Sequence, residues 1–300
     1  MTATAHQALS HTHELLALRD AVEHRLDKLL PVGGERDLVG AAVRDGVLGP
    51  GKRLRPMLLM LTARDLGCQL PGIIDLACAV EMVHAASLVL DDMPCMDNAT
   101  LRRGRPTVHR QYGEDVAILA AVALLSRAFG VVAAAEGVPA GCKADLVTQL
   151  SAAVGTQGLV AGQYQDLHDG GKARSAELIA QTNELKTGVL FGATLQMAAT
   201  VAGARPAARE ALAQVARELG QAFQLLDDLA DGRSDTGKDR HQDAGKSTLV
   251  ALLGTEAVYQ RLRAHLRSAD HHLASACGEG VITRRFMQAW FEQQLAPASR

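Results

Sequence analysis

Aromatic residues make up only 3% of the 300-residue chain. That scarcity argues against a strand-built core, since strands favour aromatic and β-branched side chains. An excess of one charge is also missing: 31 Lys plus Arg stand against 33 Asp plus Glu, a formal net charge of −2. Nucleic-acid binding needs a basic excess or stripe, so no nucleic-acid partner is expected. The five cysteines form no CxxC pair, and an odd, unpatterned set reads as free thiols in a reducing compartment. The sequence has no zinc spacing, no GxSxG and no P-loop. Gly245-Lys246-Ser247 lacks the upstream Walker glycine and follows no expected strand. Met1 to Arg19 does not have the basic-then-apolar pattern of a secretory leader. The most apolar stretch, Val116 to Ala135, carries Arg127 and much Ala. It reads as a buried bundle helix rather than a membrane span. A soluble, cytoplasmic protein is expected.

What the chain does contain is 48% hydrophobic residues with 21% charged, rich in Ala and Leu, a folding composition that favours helix. Apolar stripes and breakers place helices over 6–30, 37–44, 55–66, 72–92, 114–136, 143–167, 178–202, 207–229, 248–276 and 282–295, with a polar loop over 232–245. No Pro- or Ser-rich linker and no fixed-period repeat divides them. The expectation is all-α: one domain over 1–300, a bundle of about ten helices.

Two apolar helices end in acids. The first runs Leu88-Val-Leu-Asp-Asp-Met-Pro-Cys-Met-Asp97. Acids at a helix C-terminus oppose its dipole, so a cation should compensate. Asp91 and Asp97 lie about 240° apart on an ideal helix, but Pro94 breaks it and lets Asp97 turn back toward Asp91. The second runs Phe223-Gln-Leu-Leu-Asp-Asp-Leu-Ala-Asp231, with Asp227 and Asp231 on one face. Two facing carboxylate rims without His or Cys suit Mg²⁺, which takes one or two carboxylates per ion and completes its shell with water and phosphate.

Basic elements flank both rims: Gly51-Lys52-Arg53-Leu54-Arg55-Pro56, Arg102-Arg103-Gly104-Arg105-Pro106, Lys186-Thr187, and Lys238 and Lys246. Any one of them alone reads as a solvated charge. Together, beside two acid clusters, they fit a polyphosphorylated substrate bridged by Mg²⁺. His84, two turns before Asp91, projects from roughly the same face.

In order along the chain, these motifs resemble the trans-isoprenyl diphosphate synthases, over about residues 20–295 with 1–20 as an N-terminal extension. The stretches from His84 to Asp97 and from Gln221 to Asp228 are closest to bacterial geranylgeranyl diphosphate synthases of carotenoid pathways. The resemblance implies an isoprenoid-synthase-type bundle around a central apolar cavity. It also implies a homodimer, and Mg²⁺-dependent head-to-tail condensation of isopentenyl diphosphate with an allylic diphosphate, with three ions when substrate is bound. Carried over by position, Asp91, Asp97 and Asp227 are implied as Mg²⁺ ligands, with Asp92 and Asp231 as supporting or alternative ligands and Asp228 in the same catalytic cluster. Lys52, Arg55, His84 and Arg103 are implied as the isopentenyl diphosphate clamp. Arg102, Lys186, Thr187, Gln224, Lys238 and Lys246 are implied for the allylic diphosphate. Asn98 departs from members with a further Asp, which removes an accessory charge.

Product length then depends on pocket depth. Ala86 and Ser87, both small, would leave the first turn below Asp91 open, and a turn of about 5.4 Å roughly matches one isoprene unit. Val83 and Met82 would help form the floor, predicting a C20 product and a shift to C15 in Ala86→Tyr. A floor near Leu159 to Gly162 is the alternative. Rival functions are a farnesyl diphosphate synthase, a class I terpene cyclase, disfavoured by Asp227-Asp228-Leu-Ala-Asp231, and a non-catalytic partner subunit, which would be expected to lose an acid motif.

Overall fold

In a computed structural model, the described residues are 3–32, 34, 36–230, 248–278 and 281–295, with side chains from residue 13 onward. Helix dominates. The elements are α1 (Ala3–Leu29), α2 (Leu38–Leu48), α3 (Leu54–Asp65), α4 (Ile73–Asp91), a hairpin of β1 (Leu101–Arg102) and β2 (Arg105–Pro106), α5 (Val108–Tyr112), α6 (Glu114–Ala134), α7 (Ala140–Val154), α8 (Leu159–Asp169), α9 (Ala176–Asn183), a π-helical turn (Glu184–Gly188), α10 (Val189–Val201), α11 (Pro206–Ala230), α12 (Leu249–Leu253), α13 (Thr255–Cys277) and α14 (Ile282–Leu295).

Two apolar clusters organise these helices. One gathers α1, α2, α4, α6 and α7, the other gathers α11, α13 and α14, and α3 and α10 contribute to both. Helix α4 is apolar on all sides because it is packed on all sides, against α1, α2, α3, α6 and α10. Its C-terminus therefore delivers Asp91 and Asp92 to the end of a buried rod. Helix α11 is apolar on one face only (Leu212, Val215, Ala216, Leu219, Ala222, Leu225), which packs on α10 and α13.

Several expected single helices are interrupted. The segment expected as one helix over 143–167 is α7 and α8, broken at Gly155–Gly158. A Cβ at Gly158 would lie 2.1 Å from the Ala153 carbonyl oxygen, so only glycine makes this corner. The offset seats Gly162 against the π turn, where a Cβ would stand 2.3 Å from the Lys186 nitrogen. The segment expected as one helix over 178–202 runs through the unforeseen π turn, and the one expected over 248–276 breaks at Gly254 (φ 81°). The hairpin and α5 were not anticipated.

Helix α6 departs from expectation twice. It is long and apolar enough to cross a membrane, as is α4, because its single Arg does not offset so many Ala, Val and Leu residues. Nor is it buried all round: Ile118, Leu119 and Val122 are 47%, 53% and 59% exposed on one outward face.

Candidate active site

The acid end of α4 folds back as Pro94 suggested. The Asp97 N–H donates to the Asp91 carbonyl (3.0 Å), Met96 N–H to Met93 (2.9 Å) and Ala99 N–H to Asp92 (3.2 Å). The compensating cation is Arg102. Its Nε and Nη2 donate to Asp92 Oδ1 at 2.7 and 2.5 Å, and Nη2 lies 3.9 Å from Asp91. Asp92 is only 4% exposed. Burial pushes its carboxyl up to about 6, against the pull of Arg102, with Asp91 and Asp97 adding to the rise. Burial works against the Arg102 charge too, but Asp92, Asp91 and Asp227 outweigh it and raise its pKa. Arg102 thus lies in the field of both acid clusters.

On the facing side, the π turn carries Lys186 and Thr187, an irregularity frequent at functional sites. Lys186 Nζ reaches Asp166 at 2.7 Å and Asp91 at 3.7 Å. Thr187 Oγ1 donates to Gln224 Oε1 (3.3 Å), whose Nε2 donates to Asp228 Oδ1 (2.9 Å). These contacts link the π turn to the acid end of α11. Gln163 Nε2 donates to Asp91 Oδ1 at 2.5 Å.

A second set lies along α4 and α3. Arg55 is buried, with Nε lacking a hydrogen-bond partner among the described residues. Its guanidinium stacks 4.4 Å from Phe191 and 5.6 Å from Phe223. Burial lowers its pKa to about 10; Glu81 opposes that fall and Arg103 adds to it. Burial likewise lowers Arg103, with Arg53 and Arg102 adding to the effect. His84 is half-buried and held well below its ordinary value, by burial first and then by Arg55, Arg103, Arg102 and Arg53. It is a neutral imidazole among guanidiniums. Lys52 is exposed at the edge, bonded to Gln294 and 5.2 Å above the Trp290 ring.

The described non-glycine residues with left-handed backbone are Arg53 (φ 49°), Asn98 (48°) and Arg103 (55°). All three border this region, where backbone strain tends to be stored. Asn98 therefore has a local reason beyond the missing charge, because Asn visits this conformation more readily than most residues. Arg53 turns inward, with Nη1 donating to Glu81 at 2.9 Å and Nη2 to the Gly49 carbonyl at 2.9 Å.

Among the expected chain-length residues, Met82, Val83 and Ala86 are 0% exposed within the first apolar cluster. No water-sized space touches them, so in this structure they line no open pocket. The reason is that α6 and its neighbours close over that side of α4. Ser87 differs: it is half-buried on the face of His84 and Asp91, and its Oγ donates to the His84 carbonyl (2.8 Å). Asp231, Lys238 and Lys246 lie outside the described residues. Residues that motif reading missed are Gln163 and Asp166 on α8, Glu81 beneath Arg53, and Trp290 and Gln294 on α14. The four-residue spacing of Glu81, Ala85 and Val89 on α4 was the available hint that a carboxylate sits on a buried face.

Every acid side chain of the two rims is an oxygen donor, which fits Mg²⁺. Among the described residues no three His, Cys, Asp or Glu side chains converge into a closed metal cage.

Two acid rims on an all-α bundle, next to a nest of guanidiniums in which Arg55 is buried and Arg103 is exposed, define a class of phosphate-handling helical enzymes, and the sequence assigns the family. Residues 36–276 match the polyprenyl synthetase family, and the chain belongs to it. It is 63% identical over 280 residues to a geranylgeranyl diphosphate synthase of Pantoea ananas, covering 93% of each chain. It is 52% identical over 298 residues to that of Pseudescherichia vulneris, covering 99% of this chain and 97% of the other. Among solved structures, a Helicobacter pylori geranyltransferase complexed with magnesium and isoprenyl diphosphate superposes with a TM-score of 0.83 at 27% identity, covering 94% of this chain and 97% of the other.

Proposed function

We propose that the protein is a geranylgeranyl diphosphate synthase working as a single polyprenyl synthase domain. It joins isopentenyl diphosphate head-to-tail to an allylic diphosphate, farnesyl diphosphate or a shorter starter, to give the C20 product. The observation that carries this reading is the pairing of two unlike regions: an acid-lined rim at Asp91, Asp97, Asp227 and Asp228, and the basic nest of Arg55, His84 and Arg103.

Asp91, Asp97 and Asp227, with Asp92 and Asp231 in support, would hold Mg²⁺, which when bound supplies positive charge to the departing diphosphate. Arg102, Lys186, Thr187 and Gln224 orient the allylic diphosphate beside that rim, joined by Lys238 and Lys246. Arg55, Arg103 and Lys52 hold the second diphosphate. Neutral His84 serves there as a hydrogen-bond donor instead of a further cation. The described donors among these, Arg102, Lys186, Thr187, Gln224, Arg55 and Arg103, are held by contacts within the protein, the preorganised condition that lowers barriers. Phe191 and Phe223 back the Arg55 guanidinium and hold it in place. The proton lost on condensation goes to the departing diphosphate.

Ser87, half-buried one turn below Asp91, is the wall position for the growing chain. Ser87→Tyr is expected to shorten the product to C15. Ala86→Tyr is expected to overpack the closed cluster and lower stability. The exposed face of α6 supports a homodimer, because an apolar face of this kind marks a protein contact. Five cysteines without a disulfide among them support a reducing, cytoplasmic setting, and the carotenoid phrasing of the motifs supports that pathway.

The test is incubation with labelled isopentenyl diphosphate, Mg²⁺ and each allylic starter in turn, followed by chromatography of the dephosphorylated alcohols. Geranylgeraniol is expected. Farnesol as the end product would make the protein a farnesyl diphosphate synthase. No elongation by a dimeric preparation would make it a partner subunit.

A further inference from the structure

We propose that Asp45, in the last turn of α2, is a positioning residue for Arg103: it sets the aim of that guanidinium through Tyr112, Gln111 and Arg105 and touches no substrate. This rests on the reading of Arg103 as part of the isopentenyl diphosphate site.

Arg103 sits where it cannot hold itself. Its hairpin has only the pairs Leu101↔Pro106 and Arg102↔Arg105, and a two-stranded hairpin alone is marginal in water. The central turn residues, Arg103 (φ 55°) and Gly104 (φ 77°), both have positive φ, the signature of a type I′ turn. A side chain on the first of them is disfavoured. Such a residue persists only where its surroundings over-determine it.

Those surroundings divide between the two arginines of the hairpin. Arg102 has its own anchor in Asp92. Arg103 donates through Nη1 to the Pro50 carbonyl at 2.8 Å, in the loop leaving α2. Asp45 pins both sides of this contact. Its backbone carbonyl accepts from Gly49 N–H (3.3 Å), starting the loop that receives Arg103. Its carboxylate takes the segment that follows the hairpin: Tyr112 Oη donates to Oδ2 at 2.5 Å, Gln111 Nε2 donates to Oδ2 at 3.0 Å, and Arg105 Nη2 lies 3.8 Å from Oδ1. The Arg105 pair is exposed and weak. The hydrogen bonds to an ionised acceptor carry the link. Between loop, hairpin and α5 lies a crevice of about 60 Å³ bordered by Asp45, Pro50, Arg103, Arg105 and Tyr112, wide enough to admit water. Val108 and Tyr112 pack α5 against the first apolar cluster, and the Asp45 carboxylate adds the polar tie between α2 and the end of α5.

The experiment compares Asp45→Ala, Tyr112→Phe and the double variant with the parent enzyme in steady-state kinetics. Calorimetric titration with isopentenyl diphosphate alone is the second readout. Asp45→Ala is expected to raise KM for isopentenyl diphosphate about tenfold, the worth of one good hydrogen bond to a charged group. It should change kcat by less than about threefold and leave KM for the allylic diphosphate in place, since a lost positioning contact shows in binding. Tyr112→Phe should move the same constant less, and the double variant should be no worse than Asp45→Ala, because the two act as one unit. Equal losses in kcat and both KM values with a lower Tm would reduce Asp45 to general stability and overturn the proposal. Unchanged calorimetric affinity would overturn it whatever the turnover assay gives. A parent protein that does not elongate would overturn the condensation reading alone, because a tenfold loss of isopentenyl diphosphate affinity in Asp45→Ala would still support the positioning role.

Discussion

The acid rim and the basic nest handle charge in opposite ways. At the rim, cations are matched to acids: Arg102 to Asp92, and Lys186 to Asp166 and Asp91. In the nest, Arg55, Arg103 and His84 crowd like charge or potential charge together, with Glu81 as the opposing carboxylate, and all three titrate below their ordinary values. Among the described residues the rim carries more acid than base, Asp91, Asp92, Asp97, Asp166, Asp227 and Asp228 against Arg102 and Lys186, an excess that cations would offset. The nest holds unbalanced positive charge at all times and is relieved when an anion enters. On the proposed reading, a metal would complete the first region and a diphosphate would balance the second.

The largest expected effect tests the rim. Asp91→Ala should lower kcat about a thousandfold or more, measured at saturating Mg²⁺ and both substrates. Retention of kcat within about tenfold would remove Asp91 from the metal set. Next comes the nest. Arg55→Gln should raise KM for isopentenyl diphosphate between about tenfold and a hundredfold, the range for a charged hydrogen-bond partner, with the allylic KM unmoved. If both constants rise together, the two regions are one site and the contrast fails. The smallest effect is a pH slope. His84 has a folded pKa below its ordinary 6.5, so the unfolded chain takes up a proton first as pH falls. Its contribution to stability is full above pH 6.5 and is lost as pH drops through 6.5 toward the folded value. Denaturant melts of His84→Gln should show a shallower loss below pH 6.5 than the parent, by at most about 1.4 kcal/mol per pH unit. An identical slope would show that His84 does not carry it.

Both regions were legible to different degrees. The rim announces itself because adjacent acids behind an apolar helix break the helical pattern, and α14 was read at its observed bounds because Ile282 to Leu295 keeps its periodicity to the end. The nest was half legible. Lys52, Arg55 and Arg103 stand out as charges, but Glu81 is one polar residue inside α4, and only packing makes it the partner of Arg53. Gln163 and Asp166 were hidden because the corner at Gly155–Gly158, which aims α8 at Asp91, depends on a steric clash that no periodicity records. The π turn was missed for a similar reason: Glu184–Gly188 keeps helical composition while adding a residue to the turn. Met82, Val83 and Ala86 were placed on a pocket wall by spacing alone, and the closure of α6 over that face was not visible from α4 itself.

The chain contains one tryptophan, and it is Trp290. The ring lies beneath Lys52 and stacks on Phe223, with centroids 5.9 Å apart. The same Phe223 lies beside Arg55. The protein thus carries its own optical reporter. When a diphosphate draws Lys52 off the indole, the emission of that single fluorophore should change, and isopentenyl diphosphate binding can be followed by titration without any label.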